Sequence, residues 1–280
     1  MAAERARWVL VTGASTGIGA ATVQALVADG ARVWAGVRRE EDGQRLASEH
    51  GDRVQVLRFD VTDADAVAAA GERVVAAGPL DGVVCNAGVA LPGPLEFLPI
   101  TALREQLEVN VLGQLRVIQA VLPAVRAGSG RIVVVGSIGG RIAGPMLGAY
   151  HASKFALVGL TDSLRAELAP WHIPVILVEP GVVATPIWTR GVANAAQVAT
   201  EMPSRAQEVY AAQIAVARQR AERSAQRGLP AHEAATVIVR ALTAPHPRPR
   251  YLVGRDALVA SVVARLPYRM LYWLTAARSR

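Results

Sequence analysis

Lysine is nearly absent from this chain. Of its 30 basic residues, 29 are arginines and only Lys154 is a lysine. A planar guanidinium supplies charge, but it is a poor substitute for a compact ammonium that must reach a hydroxyl group or shift a neighbour's pKa. The lysine lies four residues after Tyr150, in a chain with only five tyrosines in 280 residues. Chance is therefore a weak explanation of the spacing, and the two residues are a candidate functional pair.

Cysteine is scarce as well. Cys85 is the single cysteine, so no intrachain disulfide can form. The first seven residues lead directly into a strand pattern, without the apolar core and cleavage site of a signal peptide. We therefore expect a cytoplasmic, reducing compartment. With 52% hydrophobic and 19% charged residues, the chain can bury the core of one large α/β domain.

A basic stripe across the fold is also missing. The net charge is +7, but residues 246–280 alone hold seven arginines and one aspartate, and the rest of the chain is nearly neutral. A nucleic-acid-binding protein is expected to carry its positive charge on one face of the fold. We therefore expect no nucleic-acid partner, and only the basic tail needs an explanation.

Short runs rich in β-branched residues alternate with longer stretches rich in alanine and leucine. This alternation is typical of βαβ units, and the run Arg131–Val135 is apolar almost throughout, as in a strand covered on both faces. We predict a doubly wound (Rossmann) parallel α/β sheet of about seven strands with helices on both faces. The predicted strands cover residues 7–12, 31–37, 53–58, 80–85, 130–136, 173–178 and 249–253. The predicted helices cover residues 17–29, 63–77, 100–127, 149–169 and 231–243.

The stretch 186–230 breaks this alternation, because it has no strand pattern. An insertion of this length in a compact domain favours a small helical lid. We therefore divide the chain into a Rossmann domain over residues 1–254, which includes the lid, and a basic amphipathic tail over residues 255–280.

A glycine-rich turn follows the first predicted strand, from Thr12 to Gly19. Its glycines let the backbone turn tightly and approach a pyrophosphate, whose charge the N–H groups at the start of a helix can meet. The spacing G-x-x-x-G-x-G differs from the dinucleotide fingerprint G-x-G-x-x-G, and such a turn also occurs for structural reasons. Its place at the first strand–helix junction favours nucleotide binding.

Further motifs follow in a fixed order. They are Cys85-Asn86-Ala87-Gly88, Asn110, Ser137, Tyr150-x-x-x-Lys154 and Pro180-Gly181. With the glycine-rich turn, they resemble the motifs of the short-chain dehydrogenase/reductase family over residues 7–185. The motif Cys85-Asn86-Ala87-Gly88 followed by residues 93–96, together with residues 150–157, resembles the hydroxysteroid and retinol dehydrogenase branch of that family.

The resemblance implies four catalytic residues, Asn110, Ser137, Tyr150 and Lys154. Tyr150 would be the general acid/base, Ser137 would hydrogen-bond the substrate oxygen, and Asn110 would complete a proton relay through water. Lys154 would hold the nicotinamide ribose. It would also lower the phenol's pKa of ~10 by a few units at most, if its ammonium lies about 4 Å away. Considered singly, Ser137 could be a turn residue and Asn110 could cap a local backbone group.

The resemblance also implies the cofactor-binding residues. They are Gly13, Ser15, Thr16, Gly17, Ile18, Gly19, Arg38, Asp60, Val61, Asn86, Ala87, Gly88, Tyr150, Lys154, Pro180, Gly181 and Thr185. Val37 stands where an acid would bind a ribose 2′-hydroxyl, and two arginines follow it. We therefore predict NADP(H) over NAD(H), with Arg38 as the main phosphate contact and Arg39 as a solvated alternative. Asp60 could equally cap the next helix. No metal is expected.

The substrate and the partners are constrained less. The segment after Thr185 offers apolar residues that favour an apolar alcohol or carbonyl substrate, namely Ile187, Trp188, Val192, Met202 and Tyr210. The family implies a homodimer or homotetramer built on the helices near 100–127 and 149–169. The unbroken apolar runs of the tail are too short to span a bilayer. It forms either an amphipathic helix on an anionic membrane surface or a helix packed on the subunit or an oligomer partner.

These observations predict an NADP(H)-dependent alcohol dehydrogenase or ketone reductase. The alternative is a redox-sensing NADP(H)-binding module that acts through a protein partner and performs no chemistry. The intact set of Ser137, Tyr150 and Lys154 counts against a sensor, because a sensor has no need of an acid/base.

Overall fold

The computed structural model describes residues 6–267, 269–271 and 273, and within them the chain forms one parallel sheet. Its seven strands lie in the order β3-β2-β1-β4-β5-β6-β7, so the direction of winding reverses between β1 and β4. The strands are β1 (Trp8–Thr12), β2 (Arg32–Val37), β3 (Val54–Arg58), β4 (Gly82–Cys85), β5 (Arg131–Val135), β6 (Val175–Pro180) and β7 (Arg250–Val253). The predicted doubly wound sheet and its strands are confirmed, to within two residues at each end.

Helices cover both faces of the sheet because successive strand side chains point to opposite sides. In β1, Leu10 packs into a core with Ile118 and Leu157, whereas its neighbours pack into a second core with Leu26 and Ile238. Both cores are rich in β-branched residues from the strands. The fully apolar strands predicted from the sequence are therefore the middle layer of three.

The helices agree with the predicted ones, with one omission. They are α1 (Gly17–Ala28), α2 (Glu40–His50), α3 (Ala64–Ala77), α4 (Ile100–Leu107), α5 (Gly113–Ala127), α6 (Gly148–Leu168), α7 (Ile187–Thr200), α8 (Ser204–Arg227), α9 (Ala231–Thr243) and α10 (Arg255–Val263). Helix α2 was not predicted, because it is strongly polar and buries only Gly43 and Leu46, which are too few residues to mark a helix. The predicted helix over 100–127 is divided by a π-helical turn, Glu108–Leu112.

The two remaining segments of interest follow β6 and β7. Helices α7 and α8 occupy the stretch 186–230, which contains no strand. The predicted tail begins with α10, and its residues 268, 272 and 274–280 lie outside the described residues. Within the described ranges, no helix is both long and apolar enough to cross a membrane.

Candidate active site

A cleft of about 460 Å³ opens at the carboxyl ends of the strands, where the winding of the sheet reverses. Open α/β sheets bind their ligands at this place. Every predicted site residue except Gly19 lines the cleft. Residues that are 172 positions apart in sequence, Gly13 and Thr185, therefore meet in one site.

The glycine-rich turn has the shape that a nucleotide phosphate requires. Gly13 and Gly17 have φ of 62° and 58°, in the left-handed region that favours glycine. A Cβ on Gly13 would lie 2.9 Å from the Cα of Ala87, and one on Gly17 would lie 3.1 Å from the Cβ of Thr185. No side chain caps the start of α1 at Thr16, so its first N–H groups face the cleft without such a partner. The turn thus fits the pyrophosphate of a dinucleotide.

Gly19 has a packing role, and its predicted contact with the cofactor stays a prediction. It does not line the cleft, and a Cβ at this position would overlap the carbonyl oxygen of Gly13. Close packing of the first helix on the turn therefore requires glycine here. The turn is also held from β4, since the Asn86 amide donates to the carbonyls of Thr12 and Gly13 at 3.0 and 3.2 Å.

Ser137, Tyr150 and Lys154 converge at the inner end of the cleft, and we call them the polar floor. Ser137 follows β5, and its Oγ accepts a hydrogen bond from the Gly139 N–H at 3.0 Å. Tyr150 and Lys154 lie one turn apart on α6. Ser137 also faces Tyr150 and acts to lower the pKa of its phenol. The serine is therefore both a turn residue and a member of the floor.

The electrostatics of the floor differ from the prediction. Lys154 is only 6% exposed, and its Nζ donates to the Val135 carbonyl at 3.0 Å. The ammonium lies over the Tyr150 ring, 5.7 Å from its centroid. Burial raises the pKa of Tyr150, and only Ser137 lowers it. The predicted lowering of the phenol pKa by Lys154 is therefore wrong for this arrangement.

Burial also acts on the lysine itself. Removal from water disfavours a charged ammonium, and it lowers the pKa of Lys154 to about 8. The floor thus combines a phenol that resists ionisation with an ammonium that loses its proton at a lower pH than an ordinary lysine.

Asn110 lies in the π-helical turn and is fully buried. Its Nδ2 donates to the Val89 carbonyl at 3.1 Å and to Ser153 Oγ at 3.0 Å, while its Oδ1 accepts from the Val89 N–H at 2.9 Å. Both amide donors are used, and only Oδ1 keeps a free lone pair. The proposed relay could therefore use Asn110 only as an acceptor. The alternative role of Asn110 was to bind a local backbone group. It does bind backbone, but the group belongs to Val89, which is distant in sequence.

Arginines and acids form the outer end of the cleft. We call Arg38, Arg39, Asp42 and Asp60 the arginine rim. Arg39 donates from Nε and Nη2 to Asp42 at 2.9 and 3.1 Å, and Arg38 Nη1 lies 3.7 Å from Asp60 Oδ2. Both arginine side chains are about two thirds exposed, at 65% and 67%. Arg39 is therefore paired with Asp42 as well as exposed to solvent, and it differs in this respect from the solvated residue that we predict from the sequence.

Asp60 does not cap the next helix. Asp63 does so, by accepting a hydrogen bond from the Ala66 N–H at 3.0 Å. The Asp60 carboxylate instead accepts from the backbone and hydroxyl of Thr62, at 2.9 and 2.8 Å. Its second oxygen remains directed toward Arg38, so the alternative assignment as a helix cap is wrong.

Comparison with known proteins agrees with this geometry. Residues 7–196 match the family described as short chain dehydrogenase. The chain belongs to that family. Human 17-beta-hydroxysteroid dehydrogenase type 1 is 38% identical over 254 residues, which are 87% of this chain and 76% of that protein. Human retinol dehydrogenase 16 is 32% identical over 97% of this chain and 89% of its own length.

Other relatives carry cofactor information in their names. An NADPH-dependent 3-dehydrocapnine reductase from Ornithobacterium rhinotracheale is 38% identical over 65% of this chain and 67% of its own. A short chain dehydrogenase from Burkholderia cenocepacia, solved with NADP, has a TM-score of 0.76 at 28% identity and covers 97% of this chain and 98% of its own. One from Burkholderia phymatum, solved with NAD, has a TM-score of 0.79 at 25% identity, with coverages of 96% and 95%.

This short chain dehydrogenase is therefore an oxidoreductase of the hydroxysteroid and retinol dehydrogenase branch that acts on CH–OH groups and uses a nicotinamide nucleotide. The non-catalytic sensor is not favoured, because the named relatives are dehydrogenases and reductases.

Helix α7 forms the wall of the cleft opposite the polar floor. Ile187 and Trp188 line the cleft, and the indole Nε1 donates to the Val183 carbonyl at 2.7 Å, which leaves an apolar ring surface. Asn194 ties α7 to the Ala90 carbonyl at 3.1 Å. Three other predicted lid residues do not line the cleft, namely Val192, Met202 and Tyr210. Tyr210 instead donates to Glu96 at 2.9 Å on the outside of the lid.

Several supporting residues were missed from the sequence. Glu179, at the end of β6, is fully buried and forms a two-point pair with Arg141, whose Nε lies 2.7 Å from Oε1. The pair joins the Ser137 loop to the strand end that carries Pro180. Asp256 of α10 accepts from the Val182 N–H at 2.6 Å and so supports the Gly181 loop. No local motif marks these residues, because each acts on a distant part of the chain.

Proposed function

We propose that this chain is an NADP(H)-dependent oxidoreductase that interconverts an apolar alcohol and its ketone or aldehyde. One observation carries the proposal. Ser137, Tyr150 and Lys154 converge at one end of a cleft whose middle is a phosphate-binding turn and whose outer end is lined by Arg38 and Arg39. A dinucleotide with a 2′-phosphate has its reactive ring, pyrophosphate and third phosphate in the same order.

Tyr150 would serve as the proton donor. In the reducing direction, a bound nicotinamide would supply the hydride that the carbonyl carbon takes up, and Tyr150 would give its phenol proton to the carbonyl oxygen. The raised pKa keeps the phenol protonated near neutrality, as a donor requires. Ser137, which lines the cleft with the phenol, would hold the same oxygen. Lys154 would bind the nicotinamide ribose hydroxyls.

The substrate class follows from the wall of the cleft. Val89, Ala90, Ile187 and Trp188 supply apolar surface beside the polar floor. Such a lining favours an apolar secondary or primary alcohol over a sugar or a phosphate ester. The steroid and retinol names of the relatives agree with a large apolar substrate.

The cofactor choice rests on charge. Arg38 and Arg39 are exposed at the cleft, and no acid stands at Val37 to bind a 2′-hydroxyl. The named NADPH dependence of the 3-dehydrocapnine reductase supports the same choice. The NAD complex of the other solved relative makes a direct measurement necessary.

A screen of NADPH consumption over apolar ketones and aldehydes tests the activity, with oxidation of the matching alcohols run beside it. For a carbonyl that turns over, Tyr150→Phe should lower kcat by about 10²- to 10⁴-fold and leave NADPH binding unchanged. Tyr251→Phe is the matched control, since Tyr251 bonds the Arg248 backbone and does not line the cleft. Equal turnover of Tyr150→Phe and wild type would refute the assignment. NADPH binding without turnover of any tested compound would favour the redox-sensing module instead.

The assembly and the location are part of the proposal. Leu112 and Phe155, on the helical segments named for the oligomer, are 45% and 44% exposed. We propose a homodimer or homotetramer through this surface, in the cytoplasm. Phe155→Glu should shift the mass measured by light scattering to that of a monomer, and an unchanged mass would refute this interface.

For the tail we propose peripheral contact with an anionic membrane surface. Leu258, Val259 and Val262 are 55%, 64% and 64% exposed on α10, beside Arg255 and Arg265. Apolar side chains among arginines suit anionic headgroups. Liposome co-sedimentation of a variant with serine at the three apolar positions should lose binding that wild type shows. Substitution is preferable to truncation, because truncation would remove Asp256. Equal sedimentation would favour packing on a protein surface.

A further inference from the structure

Arg190 occupies a position between the phosphate-binding turn and the arginine rim. Thr185 and Pro186 lie directly over Gly17, within 3.1 and 3.7 Å of a Cβ built there. Arg190 follows one turn later, with its N–H bonded to the Pro186 carbonyl at 2.9 Å. Its exposed side chain lines the same cleft as Arg38 and Arg39. The start of α7 therefore places a guanidinium in the cleft that Arg38 and Arg39 also line.

Each arginine of the rim lies close to a carboxylate. Arg39 pairs with Asp42 and Arg38 with Asp60. Outside the rim, Arg45 lies 3.3 Å from Glu49 and 3.8 Å from Asp42. Among the described residues, no carboxylate lies within 4 Å of Arg190, although its charge contributes to the lowered pKa of Asp42. Arg190 thus faces the rim as a cation without a close partner. An additional anion at the rim would supply one.

We propose that Arg190 contacts the cofactor's 2′-phosphate, so that α7 responds to NADP(H) and not to NAD(H). This inference rests on the NADP(H) preference proposed above. Arg190 is then a specificity-determining residue contributed by the lid, in addition to the arginines that follow β2. Guanidinium and phosphate form strong charge-assisted hydrogen bonds, and a dianion can accept from several arginines at once.

The contact would add to the bonds that hold the lid in place. Asn194 joins α7 to the Ala90 carbonyl at 3.1 Å, and Tyr210 joins α8 to Glu96 at 2.9 Å. The first of these bonds lies at the cleft, and the second lies on the outside of the lid. Arg190 supplies the corresponding contact on the cofactor side, so a bound 2′-phosphate would fasten α7 at both edges.

Binding of adenosine fragments tests this inference without turnover. Calorimetric titrations of 2′,5′-ADP and 5′-ADP would compare wild type with Arg190→Ala, Arg190→Lys and a control, Arg205→Ala. Arg205 is an exposed arginine of α8 that does not line the cleft. Amide hydrogen exchange over residues 187–200 would be followed with each ligand.

Arg190→Ala should weaken 2′,5′-ADP roughly ten-fold, with under about two-fold loss for 5′-ADP. It should also abolish protection of α7 by 2′,5′-ADP, while Arg190→Lys keeps part of both effects and Arg205→Ala changes neither. Unchanged 2′,5′-ADP binding in Arg190→Ala would overturn the role of Arg190 alone, as would an equal loss for both ligands. A wild type that binds both ligands equally would overturn the NADP(H) preference, and this inference with it.

Discussion

Two arginine–carboxylate pairs border the cleft with the same two-point geometry but in different surroundings. Beneath the polar floor, Arg141 meets a fully buried Glu179. At the arginine rim, Arg39 meets Asp42 with a guanidinium that is 67% exposed. Water and salt screen the second pair but hardly reach the first. A buried pair therefore fixes loop positions, whereas the guanidinium of an exposed pair can exchange its carboxylate partner for a ligand phosphate.

The floor and the rim therefore suit different tasks. Proton transfer needs the Ser137 loop in a fixed position, and the buried pair provides this rigidity by joining the loop to the end of β6. Recognition of a mobile phosphate needs arginines whose present partners are easily replaced. Substitutions should accordingly have large, salt-independent effects at the floor and small, salt-dependent effects at the rim.

The largest effect is expected from Arg141→Met. It leaves the Glu179 carboxylate buried without its partner, and breaking such a pair costs about 3–5 kcal/mol of unfolding free energy. Urea denaturation would measure this, and Arg39→Met, the matched change at the rim, should cost under about 1 kcal/mol. Arg141→Met/Glu179→Met should recover most of the loss. Similar losses of unfolding free energy in Arg141→Met and Arg39→Met would contradict the distinction between the floor and the rim.

A smaller effect of opposite sign is expected from Lys154→Met. Burial holds the pKa of Lys154 at about 8, below its ordinary value of 10.5, so the folded protein carries a penalty for the charged ammonium at pH 7. The variant should be more stable than wild type by roughly 1–3 kcal/mol at pH 7, although its turnover should fall.

The pH dependence has a definite sign. Between about pH 8 and 10.5 the unfolded state binds more protons at this residue, so wild-type stability should rise toward that of the variant. Urea midpoints at pH 7 and pH 9.5 would measure the difference between the two proteins. A difference that stays constant or widens with pH would contradict the buried-charge account.

The smallest effect is expected from Asp42→Asn. The change removes the carboxylate that competes for Arg39, and NADPH should then bind roughly three-fold more tightly at low salt. NADH binding should not change. Asp52→Asn is the control, since Asp52 is 82% exposed and pairs with Arg32 away from the cleft. Weaker NADPH binding in Asp42→Asn would show that Asp42 organises the rim instead of competing for it.

The sequence alone predicts the framework well and the electrostatics poorly. Apolar strands and the glycine-rich turn are local patterns, so β1, α1 and the Tyr150–Lys154 spacing are readable directly. Helix α2 buries too few residues to mark a helix, and the π-helical turn at Asn110 shifts the helix without changing its composition. Arg190 and Asp256 act across the fold, so no nearby residue marks them. The pKa of Tyr150 depends on burial, which the spacing to Lys154 cannot reveal.

The decisive measurement is a pair of titrations of wild-type protein with NADPH and NADH, at low and high salt. NADPH should bind at least roughly ten-fold more tightly at low salt, and the gap should narrow as salt screens the arginine rim. Comparable affinities at low salt, or tighter binding of NADH, would contradict the assignment of the rim as a 2′-phosphate site.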